Sequence, residues 1–185
     1  METLKEFMAI SKNEFDDFVE SVDENSLKTA AALIIDAKKN RNRLHITGIG
    51  KPSHVATYTA SLLSSTGTPT YYLHGTEAVH GSCGQLIEGD IVICISNSGE
   101  TEELKATAAA IRNNGCKIIA VTGNPNSWLG EYADVCLKAG VTLEGGPLNR
   151  APRASIIAEI FILQCLSILL QEEVNLTPIE YVKHH

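Results

Sequence analysis

Apolar residues recur at helical spacing over residues 3–21 and again over 25–40, where Leu27, Ala30, Ala31, Leu33, Ile34 and Ala37 share one face, so two helices lead the chain. The rhythm then shortens. Runs rich in β-branched and aromatic residues follow, each ending in a turn signal: Leu44 to Thr47, Thr70 to Leu73, Ile91 to Ile95, Lys117 to Val121 and Asp134 to Leu137. Helix-like stretches fill the gaps, from Ser53 to Ser64, Glu102 to Arg112 and Ser127 to Tyr132. Strands alternating with helices predict a parallel sheet of about five strands covered on both faces, a doubly wound, three-layer α/β/α sandwich. Residues 155–171 then form a long helix that is apolar nearly all round, more than one sheet face requires, and the excess points to a subunit interface.

With 185 residues, 44% of them hydrophobic, the chain can fill one core, and no linker-like stretch divides it. Residues 1–185 therefore read as one domain, with leading helices over 1–40 and an α/β core over 41–185. The 15 basic and 22 acidic residues give a net charge of -7 with no basic run, which argues against nucleic acid or an anionic membrane as partner. An anionic ligand would have to be held by local geometry. The N-terminus carries acids from Glu2 onward and lacks the basic and apolar regions of a signal peptide, which points to the cytoplasm. The run 154–170 falls just short of a membrane span and contains Glu159 and Gln164, so it reads as a buried helix. Cys83, Cys94, Cys116, Cys136 and Cys165 include no C-x-x-C pair and read as reduced core thiols, with Cys83 set apart by its Gly-flanked place in "HGSCGQ".

In sheets of this class ligands sit at the carboxyl ends of strands, where helix N-termini present free N–H groups. Two strand ends fit. At "LHITGIGKPSH" a strand runs into Gly48, Gly50 and Lys51, with Ser53 at the following helix start. A Walker A loop would need glycine at position 45 and Ser or Thr at 52, where the chain has His45 and Pro52; the dinucleotide fingerprint wants glycine where Ser53 stands. Both nucleotide readings fail, leaving a Gly-opened turn that carries a lysine. At "ICISNSGETEE", Ser96 and Ser98 offer hydroxyls beside Asn97, Gly99 lets the backbone bend close to a ligand, and Thr101 opens a helix whose first N–H groups are free. That is a compact cradle for one phosphate, although an ordinary helix cap would share most of its features.

These residues resemble the sugar isomerase (SIS) domain, whose phosphosugar loop looks like "SNSGET". More closely, "GIGKPSH", "TGTPTYYLHGTEAVHG", "DIVICISNSGETEE" and the terminal "YVKHH" are similar to the D-arabinose-5-phosphate isomerase branch. The resemblance implies aldose–ketose isomerisation through a cis-enediol, by proton shuttling without metal or cofactor. It also implies a homo-oligomer, a tetramer, with sites completed across subunits. Members of that branch usually carry a pair of CBS modules after the isomerase domain, and the sequence shows none. The candidate ligand is a small sugar phosphate.

Carried over position by position, the resemblance makes Lys51 the lysine that steadies the enediolate or holds phosphate. His80 matches the histidine of the "EA-x-H-G" segment, and Glu77, three residues earlier, would share a helix face with it. Glu103 matches the second acid after the phosphate loop, one helical turn past Glu100. Glu144 in "LEGGPLNRAP" matches the loop carboxylate and is the first choice as base. His185 matches a histidine that in the family enters from a neighbouring subunit, with ring opening as its task. The family's Leu-Ala-Pro-Thr-Thr-Ser is here Arg150-Ala151-Pro152-Arg153-Ala154-Ser155, so two cations could grip a further anionic group. That departure keeps open an isomerase of another phosphosugar, such as a hexulose 6-phosphate, and a non-catalytic phosphosugar sensor.

Overall fold

The computed structural model describes residues 2–183. Two helices lead, α1 (Glu2–Glu20) and α2 (Glu24–Lys39). Five strands follow: β1 (Leu44–Gly48), β2 (Thr70–Tyr72), β3 (Ile91–Ile95), β4 (Lys117–Thr122) and β5 (Val135–Lys138). Between and after them lie α3 (Lys51–Ser65), α4 (Gly75–Ala78), α5 (Glu102–Asn113), α6 (Trp128–Tyr132), α7 (Ala154–Val174) and α8 (Pro178–Lys183). All pairings are parallel in the order β2-β1-β3-β4-β5. The three-layer α/β reading is therefore right, with strand limits within a residue or so of those predicted.

β1 and β3 are buried at every position, which is why their sequences are continuous apolar runs rather than alternating ones. Side-chain alternation still sorts the core into two layers. Ile46, Ile91, Ile93 and Ile95 pack with Ile34 of α2, Leu63 of α3 and Ile162 of α7, while Val92 and Cys94 pack with Leu104 and Ile111 of α5 and Leu129 of α6. The thiols of Cys83 and Cys94 are buried, and loss of hydration raises both, Cys94 to about 12, so Cys83 is a core thiol and not a reactive one.

α7 is 21 residues long and, by length and composition alone, sufficient to cross a membrane, which corrects the shorter reading from sequence. Its packing against α1, α2 and α3 explains the composition, with Phe161 stacked edge-on against Phe15 and Phe18. Two of its apolar side chains, Ile157 and Ile168, remain 43% and 57% exposed. The sequence did not foresee α4, the 3-10 turn at Ser82–Gln85 or α8, all too short to show a period.

The amino ends of β1 and β3 are tied by Asp90. Its buried carboxylate accepts the N–H groups of Arg43 and Ile87 at 2.8 and 3.0 Å and the side chains of Arg43 and His45 at 3.1 Å each. This clamp lies at the end of the sheet opposite the loops considered next.

Candidate active site

β1 and β3 are neighbours, with Gly48 paired to Ile95, yet the chain leaves β1 for α3 on one face and β3 for α5 on the other. That is a topological switch point, where the two departing loops open a crevice. Both predicted loops line it. Gly50 has φ +67, which glycine adopts without penalty, and is the N-cap of α3; Thr101 is the N-cap of α5. Neither helix start has a side-chain cap, whereas α2 and α6 are capped by Asp23 and Ser127. The start of α5 keeps free N–H groups; at α3, where Pro52 has none and Ser53 gives its own to the Gly50 carbonyl at 3.1 Å, the dipole end and Lys51 remain. Two positive helix ends thus meet at one point, a setting for an anion.

The phosphate-loop candidate is held from below. Asn97 carbonyl accepts Gly123 N–H at 2.9 Å and the Thr122 hydroxyl at 3.2 Å, and Gly99 carbonyl accepts Leu129 N–H at 3.1 Å. Gly99 has φ +68, and a Cβ there would fall 1.9 Å from Ser127 Oγ. Ser96 differs from its expected role: it is 4% exposed, its hydroxyl accepts Gly99 N–H at 3.1 Å and pairs with Thr101 Oγ1 at 3.1 Å. It shapes the loop. Ser98 is exposed, accepting Glu100 N–H at 3.2 Å and keeping its own proton to donate outward. Ser53, expected to face ligand, donates its hydroxyl to Gly50 carbonyl at 2.6 Å and so stiffens the α3 start.

Lys51 is exposed and has no ion pair among the described residues. Glu103 is exposed in the first turn of α5. Glu100 is not one helical turn before it but outside the helix, taking Trp128 N–H at 2.7 Å and Lys105 at 2.8 Å, which hold its carboxyl below the usual range. The shared face expected for Glu77 and His80 is also not formed. α4 ends at Ala78, and His80 follows its C-cap, with Gly81 at φ +116 turning the chain away. Both side chains are exposed; the helix start that carries Glu77 is pressed on β1, since a Cβ on Gly75 would lie 3.1 Å from Gly48 carbonyl.

Glu144 has a structural task that the sequence did not reveal. Its Oε2 accepts the N–H groups of Arg153 at 2.6 Å and Ser155 at 3.1 Å, capping the start of α7 from a distant loop. The Arg153 guanidinium folds back on Gly145 carbonyl at 3.3 Å and over the Phe7 ring at 6.0 Å, so it grips its own loop rather than a ligand. Arg150 is exposed and forms no ion pair among the described residues. His185 lies outside the described residues. Among those described, no group of three His, Cys, Asp or Glu side chains could hold a metal ion.

The sequence profile of the SIS domain matches residues 38–165. This chain belongs to the SIS domain family. Within it, the chain is 36% identical over 165 residues to arabinose 5-phosphate isomerase KdsD of Francisella tularensis subsp. tularensis strain SCHU S4, covering 89% of this chain and 50% of that protein. It is 32% identical over 178 residues to arabinose 5-phosphate isomerase KdsD of Pseudomonas aeruginosa, covering 96% and 53%. The chain thus spans about half the length of the curated relatives it matches. Among solved structures, this SIS domain aligns with E. coli CFT073 c3406 in complex with arabinose 5-phosphate at a TM-score of 0.87 and 31% identity, over 98% of this chain and 95% of that chain.

Proposed function

We propose that this chain is a phosphosugar aldose–ketose isomerase interconverting D-arabinose 5-phosphate and D-ribulose 5-phosphate. The observation that carries this reading is the meeting of two uncapped helix starts, α3 and α5, at the switch point beside Lys51. Likeness to relatives named arabinose 5-phosphate isomerase and to a structure in complex with arabinose 5-phosphate supports the substrate.

In this reading the phosphate rests on Ser98, Thr101 and the free N–H groups at the start of α5, near Gly50 and Asn97. A carboxylate, with Glu144 the first choice, takes the proton from C2 of the open-chain aldose while the C1 carbonyl oxygen gains one. The resulting cis-enediol loses its O2 proton and receives a proton at C1, giving the ketose. Lys51 steadies negative charge on the enediol oxygens, where a fixed cation in a water-poor site is most effective. His80, Glu77 and Glu103 remain the candidates for moving protons on oxygen, and His185 of a neighbouring subunit for opening the ring. No cofactor is required by this proton chemistry. The enzyme acts in the cytoplasm as a homotetramer; the exposed Ile157 and Ile168 of α7 support the association.

A second reading, an isomerase of another phosphosugar, is favoured by one feature: Arg150 stands free at the loop where the resemblance has leucine. Following product formation from D-arabinose 5-phosphate and, in parallel, from hexulose 6-phosphates separates the two. Conversion of the pentose pair supports the first reading, conversion of a hexulose phosphate alone the second, and saturable binding without conversion the sensor.

A further inference from the structure

Glu159 lies in the second turn of α7, 0% exposed, and neither of its carboxylate oxygens has a hydrogen-bond partner among the described residues. An ionised carboxylate there would lose its hydration with nothing in return, so the group holds its proton. Burial first, and the nearby Glu144 charge second, push its pKa up to about 8. The only trace of this in the sequence is a lone acid inside an apolar run.

Its depth follows from how α7 lies on α3. Gln164 Nε2 donates to the Tyr58 hydroxyl at 2.9 Å, a separation of 106 residues, and a Cβ on Gly67 would lie 3.5 Å from Val174 Cγ1. Ser155 gives its N–H to Glu144 and buries a hydroxyl that has no partner among the described residues. Glu159 therefore sits one helical turn below the α7 start that Glu144 caps.

Glu144 is the charged group that acts on it. On α3, Lys51 and His54 are exposed. On α1, Glu14 commits both oxygens to Thr142, and Lys12 pairs with Asp16. On α2, Glu24 pairs with Lys28, and Asp36, Lys38 and Lys39 are exposed at its far end. Arg153 is turned to Phe7, and Glu172 and Glu173 lie at the other end of α7.

We propose that Glu159 is a positioning residue of this site, a buried carboxyl one helical turn beneath the α7 start that Glu144 caps. It rests on the isomerase reading. When Glu159 ionises, two carboxylates oppose each other under one loop, the buried one is driven toward water, and the α7 start that orients Glu144 is disturbed.

The test is kcat and KM for the pentose phosphate pair across about pH 6–10, with thermal unfolding of each variant at the same pH values. The wild type is expected to lose kcat as pH rises through about 8. Glu159→Gln, neutral at every pH, keeps neutral-pH kcat within about threefold and lacks this alkaline limb, while Glu159→Ala, folded by its unfolding curve, loses about tenfold in kcat with KM nearly unchanged. An unchanged alkaline limb in Glu159→Gln, or wild-type kcat in Glu159→Ala, overturns the proposal alone. A wild type inactive toward every phosphosugar overturns the isomerase reading as well as this proposal.

Discussion

The Glu144 carboxylate and the Ser155 backbone N–H are joined at 3.1 Å, so the residue proposed as base also caps the helix that carries Glu159. One side chain thereby links proton transfer to helix placement. The two tasks can be separated because an amide oxygen can still accept the N–H groups of Arg153 and Ser155. Glu144→Gln should lose about 10²–10⁴ in kcat, the range for removal of a general base, with little change in stability. Glu144→Ala should lose the same activity and also about 1 kcal/mol of stability with the cap. Steady-state kinetics beside chemical denaturation will show whether the two variants differ in this way.

The two serines of the phosphate loop should behave differently. Ser98 faces outward and Ser96 inward, so Ser98→Ala should weaken phosphosugar binding about tenfold, the loss of one hydrogen bond to a charged group, with the melting temperature unchanged. Ser96→Ala removes one of the two acceptors of Gly99 N–H, the Ser96 carbonyl being the other, and the partner of the Thr101 hydroxyl, and should lower the melting temperature as well. Calorimetric titration with a phosphosugar and a thermal melt on each variant will tell them apart. Equal effects would mean the hydroxyl directions assigned to the loop are wrong.

Near neutral pH the stability of the fold responds to two opposed groups, His45 and Glu159. Burial holds the His45 pKa below its ordinary 6.5, despite the neighbouring Asp90, so below that pH the unfolded chain takes up a proton that the folded chain refuses. Stability is then lost as pH falls from about 6.5. Glu159 works the other way. Its pKa rises from 4.5 to about 8 on folding, so its contribution is full below 4.5, declines as pH rises through that window and is gone above about 8. Between about 6.5 and 8 the decline belongs to Glu159 rather than His45. Melting curves over this interval should slope downward for the wild type and be flat for Glu159→Gln.

Asp90 is the acceptor for four donors at the amino end of the sheet, so Asp90→Ala leaves two backbone N–H groups, the His45 ring and the Arg43 guanidinium without this acceptor. The loss should be about 2–3 kcal/mol, as for leaving part-buried donors without their acceptor. Urea denaturation measures it. A loss near zero would mean that water replaces the carboxylate.

Ile168, 57% exposed on α7, should lie in the association surface of the proposed tetramer. Ile168→Glu is expected to reduce the mass seen by light scattering, and an unchanged mass would place the interface elsewhere.

Much of this architecture was legible from pattern. Ile91 to Ile95 is a continuous apolar run because both faces of β3 are covered, and the Gly-rich turns at Gly50 and Gly99 mark strand ends because each needs positive φ. What the sequence hid was non-local. Spacing put Glu100 with Glu103 and Glu77 with His80, but Glu100 is taken by Trp128 of α6, and α4 stops before His80. The capping of α7 by Glu144 and the depth of Glu159 depend on how a loop returns over a helix, which no local period encodes.

Proton transfer at carbon on a phosphate-anchored sugar is the step that makes the protein an isomerase. Incubation with D-arabinose 5-phosphate in D2O, followed by proton NMR, tests it most directly. Loss of the C2 proton signal and appearance of D-ribulose 5-phosphate carrying deuterium at C1 are expected, both slowed about 10²–10⁴-fold in Glu144→Gln. Saturable binding of the sugar phosphate with every carbon-bound proton retained would contradict it.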